Sequence, residues 1–169
     1  MPTVVVVGNP KPASRTAQAA SLLAEALTEK APDHVIDVTD LGQGLLEWEN
    51  PKVLEAVGLT GQAGLAIVAT PTFKATYSGL LKLFLDQFAT AEGLRGVVAV
   101  PLMLGAGPTH AMAPDLFLKP LLTELGATCP APGLYLSDKT YEDGVQIAKY
   151  VEAWGGVLND AVAGWGARK

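Results

Sequence analysis

Apolar positions in this chain fall into two alternating patterns. Residues 4–7 are an unbroken β-branched run, Val4 to Val7, that ends at Gly8 and reads as a strand buried on both faces. Residues 16–31 then carry Leu22, Leu23, Ala26 and Leu27 on one helical face, and Pro32 stops that helix. A short second strand is expected at 34–38. Residues 39–63 read as irregular chain with one modest helix near 51–57. A third buried strand covers 65–69, a loop 70–77 and a strongly apolar helix 78–89. The fourth strand spans 97–102, a Gly-rich loop 103–108 and a further helix 109–125. The stretch 128–136 holds a fifth strand interrupted by Pro130 and Pro132. A closing helix over 140–163 opens on Thr140-Tyr141-Glu142-Asp143, which resembles a capping box.

Strands alternating with helices specify a parallel sheet covered by helices on both faces. Five strands fit the flavodoxin-like order 2-1-3-4-5, an α/β three-layer sandwich, better than the six-stranded dinucleotide fold. With no repeat, low-complexity tract or linker in sight, residues 1–169 are expected to form one domain.

Composition narrows the function. Charged residues are 17% of the chain against about 25% in ordinary soluble domains, while 49% are hydrophobic. So few charges predict that another subunit covers part of the surface, in a homodimer or homotetramer. The helix at 78–89 is the expected interface, because Leu80, Leu81, Leu83, Phe84, Leu85 and Phe88 cover more than half its circumference. No apolar run approaches the ~18–20 residues that span a bilayer. The chain enters its first strand without a basic leader, so a cytoplasmic location is expected. A net charge of −5 argues against nucleic acid or anionic membranes as partners, so an anionic ligand must be met by a few placed cations and amides. The single cysteine, Cys129, excludes an intramolecular disulfide, and with only His34 and His110 as histidines no metal site is expected.

In such a sheet, ligands bind beyond the carboxyl ends of the strands, where the strand order reverses. Three loops leave that edge. The first, Gly8-Asn9-Pro10-Lys11-Pro12-Ala13-Ser14-Arg15-Thr16, has neither the P-loop nor the dinucleotide spacing. It offers hydroxyls, an amide, two cations and free backbone amides at a helix start, a set suited to one phosphate monoester. An ordinary strand-to-helix turn, with Ser14 or Thr16 as a simple N-cap, uses the same residues. The second loop, Thr70 to Gly79, places Phe73 and Tyr77 with a proline and a glycine where they could line a flat ring or simply pack on the core. The third, Leu102-Met103-Leu104-Gly105-Ala106-Gly107-Pro108-Thr109-His110, has small residues that permit close backbone approach. His110 beside a helix start is more often structural than catalytic. Scattered carboxylates, Asp86, Asp115 and Asp138, read as solvated or capping groups.

In this order and spacing the three loops resemble the NADPH-dependent FMN reductase family, most closely the reductases paired with alkanesulfonate monooxygenases. The family's Gly-Ser-Pro-Arg-x-x-Ser-Arg-Thr is matched by Gly8 to Thr16. Its Thr-Pro-Val-Tyr-Lys-Ala-Ser-Tyr-Ser-Gly-Leu-Leu-Lys is matched by Thr70 to Lys82. Pro101-Leu102, His110 and Leu118-Lys119-Pro120 follow its third motif. The resemblance implies a flavodoxin-like fold, with the FMN phosphate at Asn9, Lys11, Ser14, Arg15 and Thr16. It implies the flavin ring against Pro71, Thr72, Phe73, Lys74, Ser78 and the loop at Gly105.

It also implies hydride transfer from NAD(P)H to FMN, with reduced flavin supplied to a flavin-dependent monooxygenase. Such transfer needs no nucleophile or strong base, so no catalytic side chain is expected. Asn9 and Lys11 stand where relatives have Ser and Arg, and Leu104 and Ala106 where close relatives have Thr and Gly, which predicts loosely held, exchangeable FMN. The rival readings are an FMN-containing quinone or azo reductase, a flavodoxin-type electron shuttle, and a flavin-less module on the same fold. Nothing in the sequence separates NADH from NADPH.

Overall fold

The computed structural model describes residues 1–167. Five strands, β1 (Thr3–Val7), β2 (His34–Asp37), β3 (Leu65–Pro71), β4 (Val98–Gly105) and β5 (Leu134–Ser137), form one sheet. All neighbours are parallel and the order is β2-β1-β3-β4-β5, the flavodoxin-like arrangement. The helices are α1 (Arg15–Thr28), α2 (Pro51–Gly61), α3 (Gly79–Leu85), α4 (Lys119–Glu124) and α5 (Val145–Gly166).

The unbroken apolar runs have a direct cause. Val4, Val6, Ala66 and Val68 face a core shared with Val53 and Ala56 of α2, Leu81, Phe84 and Leu85 of α3, and Leu122 of α4. Val5, Val7, Ile67 and Leu102 face the opposite core, with Leu23 and Leu27 of α1 and Ile147 and Leu158 of α5. Because both faces are covered, no position along β1 or β3 is left for a polar side chain to reach water.

The structure corrects several boundaries. β3 and β4 run on through Pro71 and Gly105 because they extend as a pair: Thr70 and Pro71 lie opposite Met103 and Leu104, and Thr72 N donates to Leu104 O at 2.7 Å. The missing amide of Pro71 breaks no ladder, since its other neighbour, β1, has already ended at Val7.

The helix expected over 109–125 is broken into a 3₁₀ turn (Pro108–His110), a π-helical turn (Pro114–Leu118) and α4. Pro114 and Pro120 interrupt any regular ladder, and Lys119 N instead reaches back five residues to Pro114 O. Residues 129–133 stay out of β5, leaving only an isolated bridge between Val98 and Thr128 ahead of it. Thr140 makes no side-chain cap. A 3₁₀ turn (Tyr141–Asp143) and Gly144 at φ 70° precede α5, whose first amide, Val145 N, is taken by Asp143 Oδ1 at 2.9 Å.

Most of the apolar face of α3 is covered within the chain. Leu81, Phe84, Leu85 and Phe88 are buried, and Leu83 is exposed at 38%. Beyond the sheet, this stretch meets the 3₁₀ segment Val38–Leu46, where Gln87 Nε2 donates to Leu45 O at 3.2 Å. Much of the breadth of that face is thus covered by the chain itself, with Leu83 left exposed. No helix among the described residues is long and apolar enough to cross a membrane.

Candidate functional site

At the carboxyl edge of β1, β3, β4 and β5 lies a cavity of about 400 Å³. The first loop contributes Asn9, Lys11, Ala13, Ser14, Arg15 and Thr16 to it, the second Pro71, Thr72 and Phe73, and the third Leu104, Gly105 and Ala106. Gln18, one turn along α1, and Asp138, the first residue past β5, complete the lining.

The first loop gathers a hydroxyl, free helix-start amides and two cations. Ser14 is the N-cap of α1, its Oγ accepting from Ala17 N at 3.3 Å, which leaves its own O–H free to donate. Arg15 and Thr16 are the first two helical residues, so their amides have no preceding carbonyl to bond and carry the positive end of the helix dipole. Asn9 plays a different part. Its Oδ1 accepts from Lys11 N at 3.0 Å and its Nδ2 donates to Thr16 Oγ1 at 2.9 Å, so it shapes the loop while facing the cavity. Lys11 and Arg15 are exposed cations at the rim, and Arg15 Nη1 is 2.9 Å from Asp138 O and 3.3 Å from Asp138 Oδ2.

The second loop presents a proline, a hydroxyl and an aromatic ring. Thr72 Oγ1 is buried and has no partner among the described residues. Phe73, 47% exposed, opens a tight turn with Thr76 through Phe73 N to Thr76 O at 2.9 Å and Thr76 N to Phe73 O at 3.1 Å. Lys74 and Ala75 form the tip with φ of 50° and 72°, and Lys74 stands outside the cavity lining. Ser78 is buried and also outside it. It caps α3 by accepting from Leu81 N, donates to Gly8 O, and its amide bonds Thr70 Oγ1 at 3.0 Å. Its work is to hold the second loop against the first.

In the third loop, a Cβ on Gly105 would fall 2.0 Å from the Tyr135 hydroxyl and 3.3 Å from Thr72 Oγ1. Tyr135 in turn donates to Gly107 O at 2.7 Å, latching the loop to β5. A side chain at 105 would have to push the Tyr135 ring aside.

Of the eleven residues the sequence pointed to, nine meet in one cavity, while Lys74 and Ser78 stand outside. Asp138 and Gln18 were missed. Asp138 is 123 positions from Arg15, and only its place one residue beyond a strand's carboxyl end marked it as a candidate. His110 is exposed and absent from the lining. Cys129 is also absent from the lining, and burial pushes its thiol up to about 11, outweighing the pull of Lys119. Among the described residues no three His, Cys, Asp or Glu side chains gather to hold a metal ion.

A doubly wound parallel sheet with a cavity at its switch point, lined by a helix start and a small-residue loop, defines a flavodoxin-like protein. Within that class the chain belongs to the NADPH-dependent FMN reductase family, whose model matches residues 1–142. It is 32% identical over 117 residues to an FMN reductase (NADPH) of Pseudomonas putida, covering 68% of this chain and 59% of that one. It is 42% identical over 82 residues to an FMN reductase (NADPH) of Escherichia coli, covering 48% of this chain and 42% of that one. The aligned stretches thus span about six-tenths and four-tenths of these relatives. A solved NADH:FMN oxidoreductase superposes with a TM-score of 0.79 at 31% identity, covering 98% of this chain and 88% of the other.

Proposed function

We propose that this chain reduces FMN at the expense of NAD(P)H, binding the flavin phosphate at the start of α1. The observation that carries this reading is the convergence of the α1 amides, the Ser14 hydroxyl and two cations with Pro71, Thr72, Phe73 and Gly105 around one cavity. Its volume, about 400 Å³, lies within the range usual for small-ligand clefts. The unpartnered Thr72 hydroxyl beside Gly105 in the same lining offers a polar edge to a flat ring.

When bound, FMN would supply the redox chemistry as acceptor of a hydride from the nicotinamide. The chain's own groups bind and orient. Ser14, Arg15 and Thr16 hold the phosphate with Lys11 at the rim, while Asn9 sets the loop. Pro71, Thr72, Phe73 and Gly105 form the walls against the ring. Lys74 and Ser78 act at one remove, Ser78 by fixing the second loop to Gly8.

The reading extends to one domain in a cytoplasmic setting, where nicotinamide donors are abundant, with the two cores sharing the single sheet. It includes exchangeable flavin passed to a monooxygenase, supported by the exposure of Phe73 and Arg15. A homo-oligomer also belongs to it, with exposed Trp48, Leu46, Met112 and Leu116 as the apolar surface to cover.

The test follows absorbance at 340 nm with NADH and with NADPH, in the presence and absence of added FMN. Oxidation that saturates with free FMN is the expected result. A yellow protein that retains flavin through gel filtration and reduces quinones without added FMN would replace this reading with the quinone reductase. No nicotinamide oxidation by flavin-loaded protein would replace it with the electron shuttle.

A further inference from the structure

Asp138 sits at an awkward place for a residue lining a phosphate site. It is the first residue past β5, and its amide bonds Gly105 O at 3.0 Å, so its backbone is pinned to the end of β4. One carboxylate oxygen, Oδ1, is buried without a hydrogen-bond partner among the described residues. The other, Oδ2, is 3.3 Å from Arg15 Nη1, the same nitrogen that donates to the Asp138 carbonyl at 2.9 Å. A single nitrogen of the guanidinium therefore answers two acceptors of one residue. A fork-to-phosphate grip needs the guanidinium turned toward the anion. The Arg15 side chain is 61% exposed and long, whereas Asp138 is 24% exposed and fixed, so any exchange of partners falls to the arginine.

We propose that Asp138 is a competitor for Arg15 built into the phosphate site, one that lowers affinity for phosphate-bearing flavin and so favours its release. The proposal rests on the FMN reading above and deepens it. The cavity carries Lys11 and Arg15 against Asp138, so one of two positive charges is already answered before a ligand with nearly two negative charges arrives. Removing the carboxylate charge frees the arginine and removes a direct repulsion. Riboflavin, which has the same ring and polyol but no phosphate, is blind to both effects. Asp138 is thus a specificity residue: it narrows the preference for the phosphorylated flavin.

The experiment measures dissociation constants for FMN and riboflavin by flavin fluorescence on the full chain and on Asp138→Asn, Asp138→Ser, Arg15→Gln and the Arg15→Gln/Asp138→Asn pair. Thermal melts serve as the folding control. Both Asp138 variants are expected to tighten FMN by about fivefold or more while riboflavin stays within about twofold. In the Arg15→Gln background the gain from Asp138→Asn should shrink, because the competition has lost its object. Weaker binding of both flavins in the Asp138 variants would overturn the proposal and make the carboxylate an acceptor for the polyol. Weakened FMN alone would overturn it by showing that Asp138 aims Arg15 at the phosphate, and unchanged affinities would show no role. Failure of the underlying reading is separately visible: Arg15→Gln would then weaken FMN and riboflavin equally or not at all.

Discussion

Gly8 is the point at which β1 gives way to the first loop of the cavity, and an alanine there should be poorly tolerated. Its Cβ would lie 2.3 Å from Leu81 Cβ and 3.0 Å from Leu81 Cα, against the ~3.5–4.0 Å at which carbon atoms pack. Leu81 is fully buried in α3, so no side-chain rotation makes room and the helix must move off the sheet. That movement also strains the Ser78 hydroxyl bond to Gly8 O, which ties the start of α3 to the end of β1.

Overpacking costs about 1–3 kcal/mol and a disturbed helix cap about 1 kcal/mol, so a loss near 3 kcal/mol is expected. For a 169-residue chain that corresponds to a melting temperature lower by roughly 6–12 °C. Circular dichroism melts and urea titrations measure it. Two controls sharpen the inference. Gly79→Ala, at a helical position with nothing within 4 Å of the new Cβ, should be neutral or stabilising by up to about 1 kcal/mol. Adding Leu81→Ala to Gly8→Ala should not rescue, because alanine keeps the Cβ that collides. A Gly8→Ala protein melting within about 2 °C of wild type, or rescued by Leu81→Ala, would refute the reasoning.

Gly105→Ala should displace the Tyr135 ring and break its bond to Gly107 O, costing about 1–3 kcal/mol in a denaturant titration and weakening FMN roughly tenfold. Tyr135→Phe, which removes only the hydroxyl, should lose about 1 kcal/mol by itself and should soften the collision when combined with Gly105→Ala. Cys129, with its thiol pushed to about 11 from an ordinary 9.0, should react with iodoacetamide at pH 8 about a hundredfold more slowly than an ordinary thiol. Cys129→Ser should keep turnover. Because its folded value is the higher one, the folded state keeps this proton after the unfolded chain has lost it. Stability is therefore full below pH 9 and falls as pH rises from 9 toward 11, and Cys129→Ser should lose that part of the alkaline decline.

The elements and their order were legible in the sequence because they rest on local physics. Four consecutive β-branched residues ended by a glycine leave little but a two-sided buried strand, and β1 pairs on both edges with apolar residues on both faces. The strand–helix alternation then admits few parallel sheets, so the carboxyl edge and three loops of the site followed. Proline chemistry was visible but under-read. Pro114 and Pro120 broke the helix expected over 109–125, and Pro130 and Pro132 confined β5 to four residues.

What the tertiary structure alone decided is which distant groups share a space. Sequence spacing cannot show that α3 spends most of its broad apolar face on the sheet and the 38–46 segment, nor that Ser78 is a tie between loops. It cannot place Lys74 on a turn tip outside the cavity, because that depends on β3 and β4 extending together by two further residue pairs. Above all it cannot pair Arg15 with Asp138. Periodicity reports on neighbours within a turn or two, whereas that contact spans 123 positions and exists only because β5 closes the sheet beside β4.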